Sequence, residues 1–160
     1  MQIEQAKISD LAAIERLQDR AFSPDRDWRL SRRALRYHLK KQTPFFLLRD
    51  GDHLVGYLLL FSQKRSAVAR IYMLAVDPCC RGRGLGRRLL HFAKEWAAAH
   101  AKDRLSLEVR ADNHKAHTLY SRFGFKRQKL LPSFYPGGRD GWRMVMKIDK
   151  RWADEHGSLD

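Results

Sequence analysis

The fold of this chain is decided by Leu74-Ala-Val-Asp-Pro-Cys-Cys-Arg-Gly-Arg-Gly-Leu-Gly86, which joins an apolar run to a helical pattern. Residues 68–76 are apolar apart from Arg70, which predicts a strand covered on both faces of a sheet. Helical spacing of apolar residues then continues to about His100, at Leu85, Leu89, Ala93, Trp96 and Ala97. Glycines let the backbone approach a ligand, and a helix N-terminus offers unpaired N–H groups to an anion. The segment predicts a phosphate-binding turn, although a merely connecting turn has the same composition.

The spacing of these glycines argues against two other phosphate-binding motifs. The chain lacks Gly-x-x-x-x-Gly-Lys-Ser/Thr, and Gly82, Gly84 and Gly86 do not complete Gly-x-Gly-x-x-Gly. Nucleoside triphosphates and NAD are therefore poor candidates for the ligand.

The rest of the chain predicts strands and helices in a readable order. Ser9 is expected to cap a helix that buries Leu11, Ile14, Gln18, Ala21 and Phe22, and Ser31 a second helix with a basic outer face. Asn113 should cap a short helix that Gly124 ends. The alternation of Leu105, Leu107 and Val109 predicts one strand. Further strands are predicted at residues 2–8, 45–49, 54–61, 125–131 and 142–148.

Length and composition indicate a single domain. The chain has 160 residues, 44% hydrophobic and 31% charged, which suits one packed core at residues 1–149 with a polar tail at 150–160. No apolar run approaches the ~20 residues that cross a bilayer, and no signal-peptide core begins the chain. We therefore expect a cytoplasmic protein without a membrane partner. The adjacent Cys79 and Cys80 predict no disulfide framework.

The net charge of the chain is +14, from 32 Lys and Arg against 18 Asp and Glu. Such an excess suggests a polyanionic partner, which could be a phosphate-rich cofactor, RNA or an acidic protein surface. A solvated basic surface explains it as well. A nucleic-acid- or ribosome-binding module is the main alternative from another functional class, although no RNA-binding signature is present.

Two motifs in the same order resemble the signatures of the GNAT superfamily of N-acetyltransferases. They are Leu74-Ala-Val-Asp-Pro78 with Arg81-x-x-Gly84-x-Gly86, and Leu107-Glu-Val-Arg-Ala-Asp-Asn113 with Ala116-x-x-Leu119-Tyr120-x-x-x-Gly124-Phe125. With Phe134-Tyr135-Pro136, the second is most similar to bacterial ribosomal-protein-alanine N-acetyltransferases. The resemblance implies a single-domain α/β (α+β) fold with a mixed, mostly antiparallel twisted sheet, splayed at its centre. About six to seven strands and about four helices are expected.

The resemblance also implies acetyl-coenzyme A (acetyl-CoA) as co-substrate. Leu74, Ala75 and Val76 would hold the pantetheine arm, and Asn113 and Tyr120 would also contact the cofactor. The pyrophosphate would bind the segment Arg81, Gly82, Arg83, Gly84, Leu85, Gly86 and Arg87, and Tyr135 would contact the substrate. No metal is expected, because His114 and His117 lack a Cys, Asp or Glu partner at a recognisable spacing.

Acetyl transfer to an amine needs a base for the ammonium and an acid for the leaving thiolate. Glu108, a carboxylate in an otherwise apolar strand, is either ion-paired structure or this base, and the resemblance favours a base acting directly or through water. Tyr120 is either a core aromatic or the acid, and the resemblance favours the acid. The acceptor implied is a protein N-terminal α-amine, such as that of a ribosomal protein, with lysine or a small-molecule amine as alternatives. The basic surface could also dock the enzyme on the ribosome or RNA.

Overall fold

A computed structural model describes residues 1–149, so the tail predicted at 150–160 lies outside the described residues. Strands and helices follow each other along the chain with short 3₁₀ turns at Ile8–Asp10, Pro78–Cys80 and Pro136–Gly138. The strands are β1 Gln2–Gln5, β2 Phe45–Asp50, β3 His53–Ser62, β4 Val68–Val76, β5 Arg104–Arg110, β6 Lys126–Tyr135 and β7 Arg139–Lys147. The helices are α1 Leu11–Ala21, α2 Arg32–Lys41, α3 Leu85–Ala99 and α4 His114–Phe123.

The strands form one sheet of seven in the order β1-β2-β3-β4-β5-β7-β6. Among the strands of residues 1–149, only β4 and β5 pair in parallel, and the remaining neighbours are antiparallel. This arrangement confirms the predicted mixed, mostly antiparallel sheet. No helix within residues 1–149 is long and apolar enough to cross a bilayer.

The sheet opens between its two parallel strands. The pairing of β4 with β5 ends at Ile71 and Leu107, although β4 continues to Val76 and β5 to Arg110. On its other side β4 carries a bulge, since the register passes from Leu59 opposite Met73 to Leu60 opposite Ile71 and skips Tyr72. A bulge bends its strand and increases the local twist. The predicted splay therefore begins at Tyr72.

The sheet separates two apolar clusters. Helix α3 buries Leu85, Leu89 and Ala93 in one cluster, and helices α1 and α2 bury Ile14 and Leu35 in the other. The bulge reverses the alternation of β4, so residues 69 and 71 join the first cluster and residues 73 and 75 join the second. Every residue of β4 is buried or partly buried, which confirms the predicted strand covered on both faces.

The predicted start of α1 was wrong. The strand β1 ends at Gln5, and Ser9 lies in the first 3₁₀ turn rather than at a helix cap. The Asp10 carboxylate accepts a hydrogen bond from the Lys7 backbone N–H at 2.8 Å and forms an ion pair with Arg49. These contacts stabilise the turn before the helix. The helix buries Leu11, Ile14, Leu17 and Gln18, whereas the predicted Ala21 and Phe22 are only partly buried.

The predicted ends of the last two strands were also wrong. The strand β6 continues past Leu131 to Tyr135, and β7 already begins at Arg139. The register between them shifts between Leu131 and Tyr135, so Pro132 lies where the ladder is irregular. Proline is tolerated there and on an edge strand because no ladder N–H is lost.

Candidate functional site

A cavity of about 630 Å³ lies beside the splay. Its walls come from β4, β5, α4, the loop between α1 and α2, and the end of β6. Five residues singled out in the sequence line it, namely Leu74, Glu108, Asn113, Tyr120 and Tyr135. The fold therefore brings both predicted catalytic residues to one cavity.

Tyr120 presents a protonated hydroxyl to this cavity. Burial raises the pKa of Tyr120 to about 12, because an ionised phenol is disfavoured away from water. None of the hydrogen bonds among residues 1–149 involves this hydroxyl. It is available as a donor to a ligand at neutral pH.

Glu108 is ion-paired on both of its oxygens. Oε2 accepts from Arg70 Nε at 3.0 Å, and Oε1 accepts from Arg143 Nε at 3.4 Å. The carboxylate is only 6% exposed, whereas the arginine side chains are 38% and 37% exposed. The ion pair considered from the sequence is therefore present, and the role of Glu108 as a base stays a prediction. Sequence reasoning missed both arginines as site residues, although Arg70 was visible as the single interruption of an apolar run.

Tyr135 packs close to the predicted acid and base. Burial raises the pKa of Tyr135 well above its usual range, and the nearby Glu108 carboxylate raises it further. Its ring lies on Gly141 of β7, where an added Cβ would approach Tyr135 Cε2 to 2.7 Å. No sequence pattern identified Gly141, because the contact joins different strands.

The loop between α1 and α2 is tied to the end of β6, the start of β7 and the end of β5. Trp28 Nε1 donates to the Phe134 carbonyl at 2.8 Å, and Arg139 donates to the Asp25 carbonyl at 3.0 Å. Arg110 of β5, with 12% of its side chain exposed, forms an ion pair with Asp27 of the same loop. Sequence reasoning missed these contacts because the partners lie 83 to 114 positions apart.

The glycine segment has the geometry of an anion-binding turn. Gly82 and Gly84 have φ values of +80° and +74°, and nothing lies within 4 Å of a Cβ added at either. Helix α3 starts at Leu85 with no acidic residue in its first turn, so its N–H groups and partial positive charge face no intrinsic anion. Arg81, Arg83 and Arg87 beside it are exposed. These features fit a pyrophosphate.

Asp77 stabilises the start of this turn. Its carboxylate accepts from the Cys79 backbone N–H at 3.0 Å and from Arg20 at 2.8 Å. The Cys79 hydrogen bond, followed by the Arg20 contact, lowers the pKa of Asp77. The carboxylate therefore remains ionised and fixes the chain just before the glycines.

A basic groove of about 340 Å³ runs between the start of α3 and the length of α4. A Cβ at Gly86 would lie 3.1 Å from Leu119 Cδ2, so the glycine lets the two helices approach closely. The groove is lined by Gly84, Arg87, Lys115, Thr118, Leu119, Arg122 and Phe123. Three cationic side chains make it suitable for phosphate groups.

The β5-facing edge of β4 has no ladder partner from Tyr72 to Val76 within the described residues. Backbone N–H and C=O groups along such an edge can bind an extended ligand. Leu74 lines the cavity, but the Ala75 side chain is buried in the core beneath α1 and could contribute only its backbone.

Relatives of this chain are found among known proteins. It is 29% identical over 133 residues to the ribosomal protein bS18-alanine N-acetyltransferase of Salmonella typhimurium, covering 76% of this chain and 88% of that protein. An uncharacterized protein of Mycobacterium leprae is 40% identical over 99 residues, covering 60% of this chain, but the chain spans only 27% of that longer protein.

A solved structure of a protein with a similar name also matches the fold. The crystal structure of the ribosomal-protein-S18-alanine N-acetyltransferase from Escherichia coli matches with a TM-score of 0.82 at 25% identity, covering 92% of this chain and 94% of that one. Residues 10–125 match the acetyltransferase (GNAT) family, whose members use acetyl-CoA. The match includes both sequence motifs and most of the residues that line the splay. The chain therefore belongs to the acetyltransferase (GNAT) family.

Proposed function

We propose that this chain acts in the cytoplasm and transfers an acetyl group from acetyl-CoA to a protein N-terminal α-amine, as in ribosomal-protein-alanine N-acetyltransferases. The amine would attack directly, with both substrates bound at once. The observation that carries the proposal is the meeting of Glu108 and the Tyr120 hydroxyl in one cavity beside the splay. The names of the Salmonella typhimurium and Escherichia coli relatives support the acceptor class.

Acetyl-CoA would supply an activated acetyl thioester. The free edge of β4 at Leu74, Ala75 and Val76 would hold its pantetheine arm through the backbone. The backbone N–H groups of residues 81–87 would bind its pyrophosphate, because this turn has open space and a helix N-terminus without an acidic residue. Asn113, whose side chain accepts from the Ala116 N–H at 3.2 Å, would hold α4 at the cavity.

Tyr120 would act as the acid. Its pKa of about 12 keeps the proton on Oη at neutral pH, and the proton would pass to the departing sulfur. Glu108 would accept a proton from the ammonium, directly or through a water molecule. An α-amine has a pKa near ~8 against ~10.4 for lysine, so far more of it is neutral before any base acts.

A competition experiment tests the acceptor class. Purified protein and acetyl-CoA are mixed with a peptide bearing a free N-terminal alanine, an N-terminally blocked peptide bearing lysine, and a polyamine. Mass spectrometry should find the acetyl group on the α-amine, and Tyr120→Phe should abolish most of the signal. Acetylation of only the lysine or the polyamine would contradict the proposed acceptor, and no transfer to any acceptor would contradict the activity.

The outer face of α2 supports docking to the ribosome or RNA as an aid to acetylation. Arg33, Arg36 and Lys40 are exposed and form no ion pair with any of residues 1–149, and Tyr37 is 54% exposed beside them. Replacing all three cations with glutamine should weaken binding to single-stranded RNA and reduce its salt dependence. RNA binding by a chain that acetylates nothing would favour a pure binding module instead.

A further inference from the structure

The Glu108 carboxylate accepts a hydrogen bond from the Nε atom of each of two arginines, Arg70 and Arg143. In residues 1–149, the hydrogen bonds of both Arg70 and Arg143 run through Nε to the Glu108 carboxylate. The terminal Nη nitrogens carry four of the five N–H donors of a guanidinium, so most donors of each side chain remain for another acceptor. Arg70 also stacks over Tyr72, with its guanidinium carbon 5.2 Å from the ring centroid. The guanidinium group of Arg70 is therefore oriented by two contacts before a ligand arrives, and that of Arg143 by one longer hydrogen bond.

This pair lies on a positively charged strip of the sheet. Arg143 is opposite Glu108 on one side and opposite Lys129 on the other, so these side chains share a face. Arg70 and Glu108 line the cavity, Arg143 lies beside it through its hydrogen bond to Glu108, and Lys129 is exposed. The strip carries three cationic side chains against the single carboxylate of Glu108. An anion bound here would balance charge that the described residues leave uncompensated.

We propose that Arg70 and Arg143 form a carboxylate-binding subsite that selects acceptors with an acidic side chain close to the reactive amine. The subsite rests on the proposed function, because it narrows the class of α-amine that the same cavity takes. Guanidinium forks match carboxylates with two parallel N–H···O bonds. The same positive charge disfavours acceptors with lysine or arginine at these positions.

The spacing of residues along an extended peptide indicates which positions of the acceptor lie near the two arginines. The amine must approach Glu108 for proton transfer, and both arginines contact that carboxylate. Successive Cα atoms are ~3.8 Å apart, and side chains of an extended peptide alternate between its two faces. The second and third side chains therefore point to opposite faces, and a carboxylate on whichever of the two faces the sheet comes within reach of the Nη groups.

The test measures binding and turnover separately. Three peptides that begin Ala-Glu-Glu, Ala-Gln-Gln and Ala-Lys-Lys are otherwise identical, and calorimetry in the presence of coenzyme A gives their affinities. We expect the acidic peptide to bind about tenfold more tightly than the glutamine peptide, since hydrogen bonds to charged groups are of this strength. Arg70→Gln and Arg143→Gln should each remove much of that preference. Arg65→Gln, an exposed loop change of equal charge, should keep it.

A second variant keeps the test decisive if a single arginine substitution prevents folding. The triple variant with Arg70→Gln, Glu108→Gln and Arg143→Gln leaves no unpaired buried carboxylate. Only its affinities for the three peptides are measured. Equal binding of the acidic and glutamine peptides by the wild type, or an unchanged preference in this triple variant, overturns the subsite. Displacement of the acidic peptide by single-stranded RNA through the same arginines also overturns it in favour of nucleic acid. Absent turnover with an intact acidic preference contradicts the acetyltransfer proposal and supports the subsite.

Discussion

The ring of Tyr135 rests directly on Gly141, so that a Cβ atom at Gly141 would lie 2.7 Å from Tyr135 Cε2. Gly141 is paired with Arg110 of β5 and with Leu131 of β6, which fixes its backbone on both sides. The ring is the part that can move. The position of Tyr135 in the cavity therefore depends on the glycine at position 141 of the neighbouring strand.

Gly141→Ala should displace Tyr135 and weaken acceptor binding without affecting the cofactor. We expect the KM for an α-amine peptide to rise about tenfold, or about 1.4 kcal/mol. A double-mutant cycle provides the control, because Gly141→Ala should add little in a Tyr135→Ala background. Additive effects of the two substitutions would show that the glycine acts on something other than this ring.

Tyr120→Phe should keep the affinity for acetyl-CoA and lower kcat by ~10²–10⁴, the usual contribution of a general acid. Only the hydroxyl is lost, and the ring still packs against Phe125 at a centroid distance of 6.0 Å. Calorimetry and steady-state kinetics on the same preparation separate binding from turnover. Unchanged turnover in the variant would leave Tyr120 as a core aromatic.

The pH dependence of the wild type gives a second check on Tyr120. Its pKa is raised to about 12, so the acid form is present at all lower pH values and is lost only as pH rises through 12. The kcat profile should therefore show no decline assignable to this group between pH 7 and 10. A fall with an apparent pKa near ~10, the ordinary tyrosine value, that disappears in Tyr120→Phe would contradict the assignment.

Glu108→Gln should leave a folded protein with lower activity at neutral pH. Raising the pH supplies neutral amine without a base, so the gap to the wild type should narrow. Loss of the two ion pairs should lower the Tm modestly, since Arg70 and Arg143 keep access to water. Melting curves beside pH–rate profiles distinguish the roles: early melting with normal turnover of the folded fraction at pH 7 would make Glu108 purely structural.

Gly84→Val should weaken acetyl-CoA binding. The residue has φ +74°, a conformation that costs about 1–2 kcal/mol for a β-carbon-bearing residue, and the side chain would fill the space expected for the pyrophosphate. Gly138→Val is the matched control, because its φ is +72° and nothing lies within 4 Å of its Cβ. Equal cofactor affinity in the two variants, measured by calorimetry, would remove this turn from the site.

Local patterns predicted the elements more accurately than their ends. The strand at residues 68–76 and the helix up to His100 were confirmed because apolar spacing and glycines are encoded within a few residues. The predicted start of α1 was wrong because a contact between Asp10 and Arg49 stabilises a different turn there. The predicted end of β6 was wrong because Pro132 removes no ladder hydrogen bond at an irregular point of an edge strand. Only the strand order reveals that β6 is an edge strand.

The sequence by itself determined the fold family and predicted a phosphate-binding turn at residues 81–87, since periodicity, glycine spacing and motif order are properties of neighbouring residues. It also identified Glu108 and Tyr120 as candidates. Tertiary structure alone decided what surrounds them: the bulge that opens the sheet, the arginines on both oxygens of Glu108, and the glycine beneath Tyr135. These contacts join strands that meet only when the sheet forms, and side-chain partners across a sheet are set by register rather than by any local pattern.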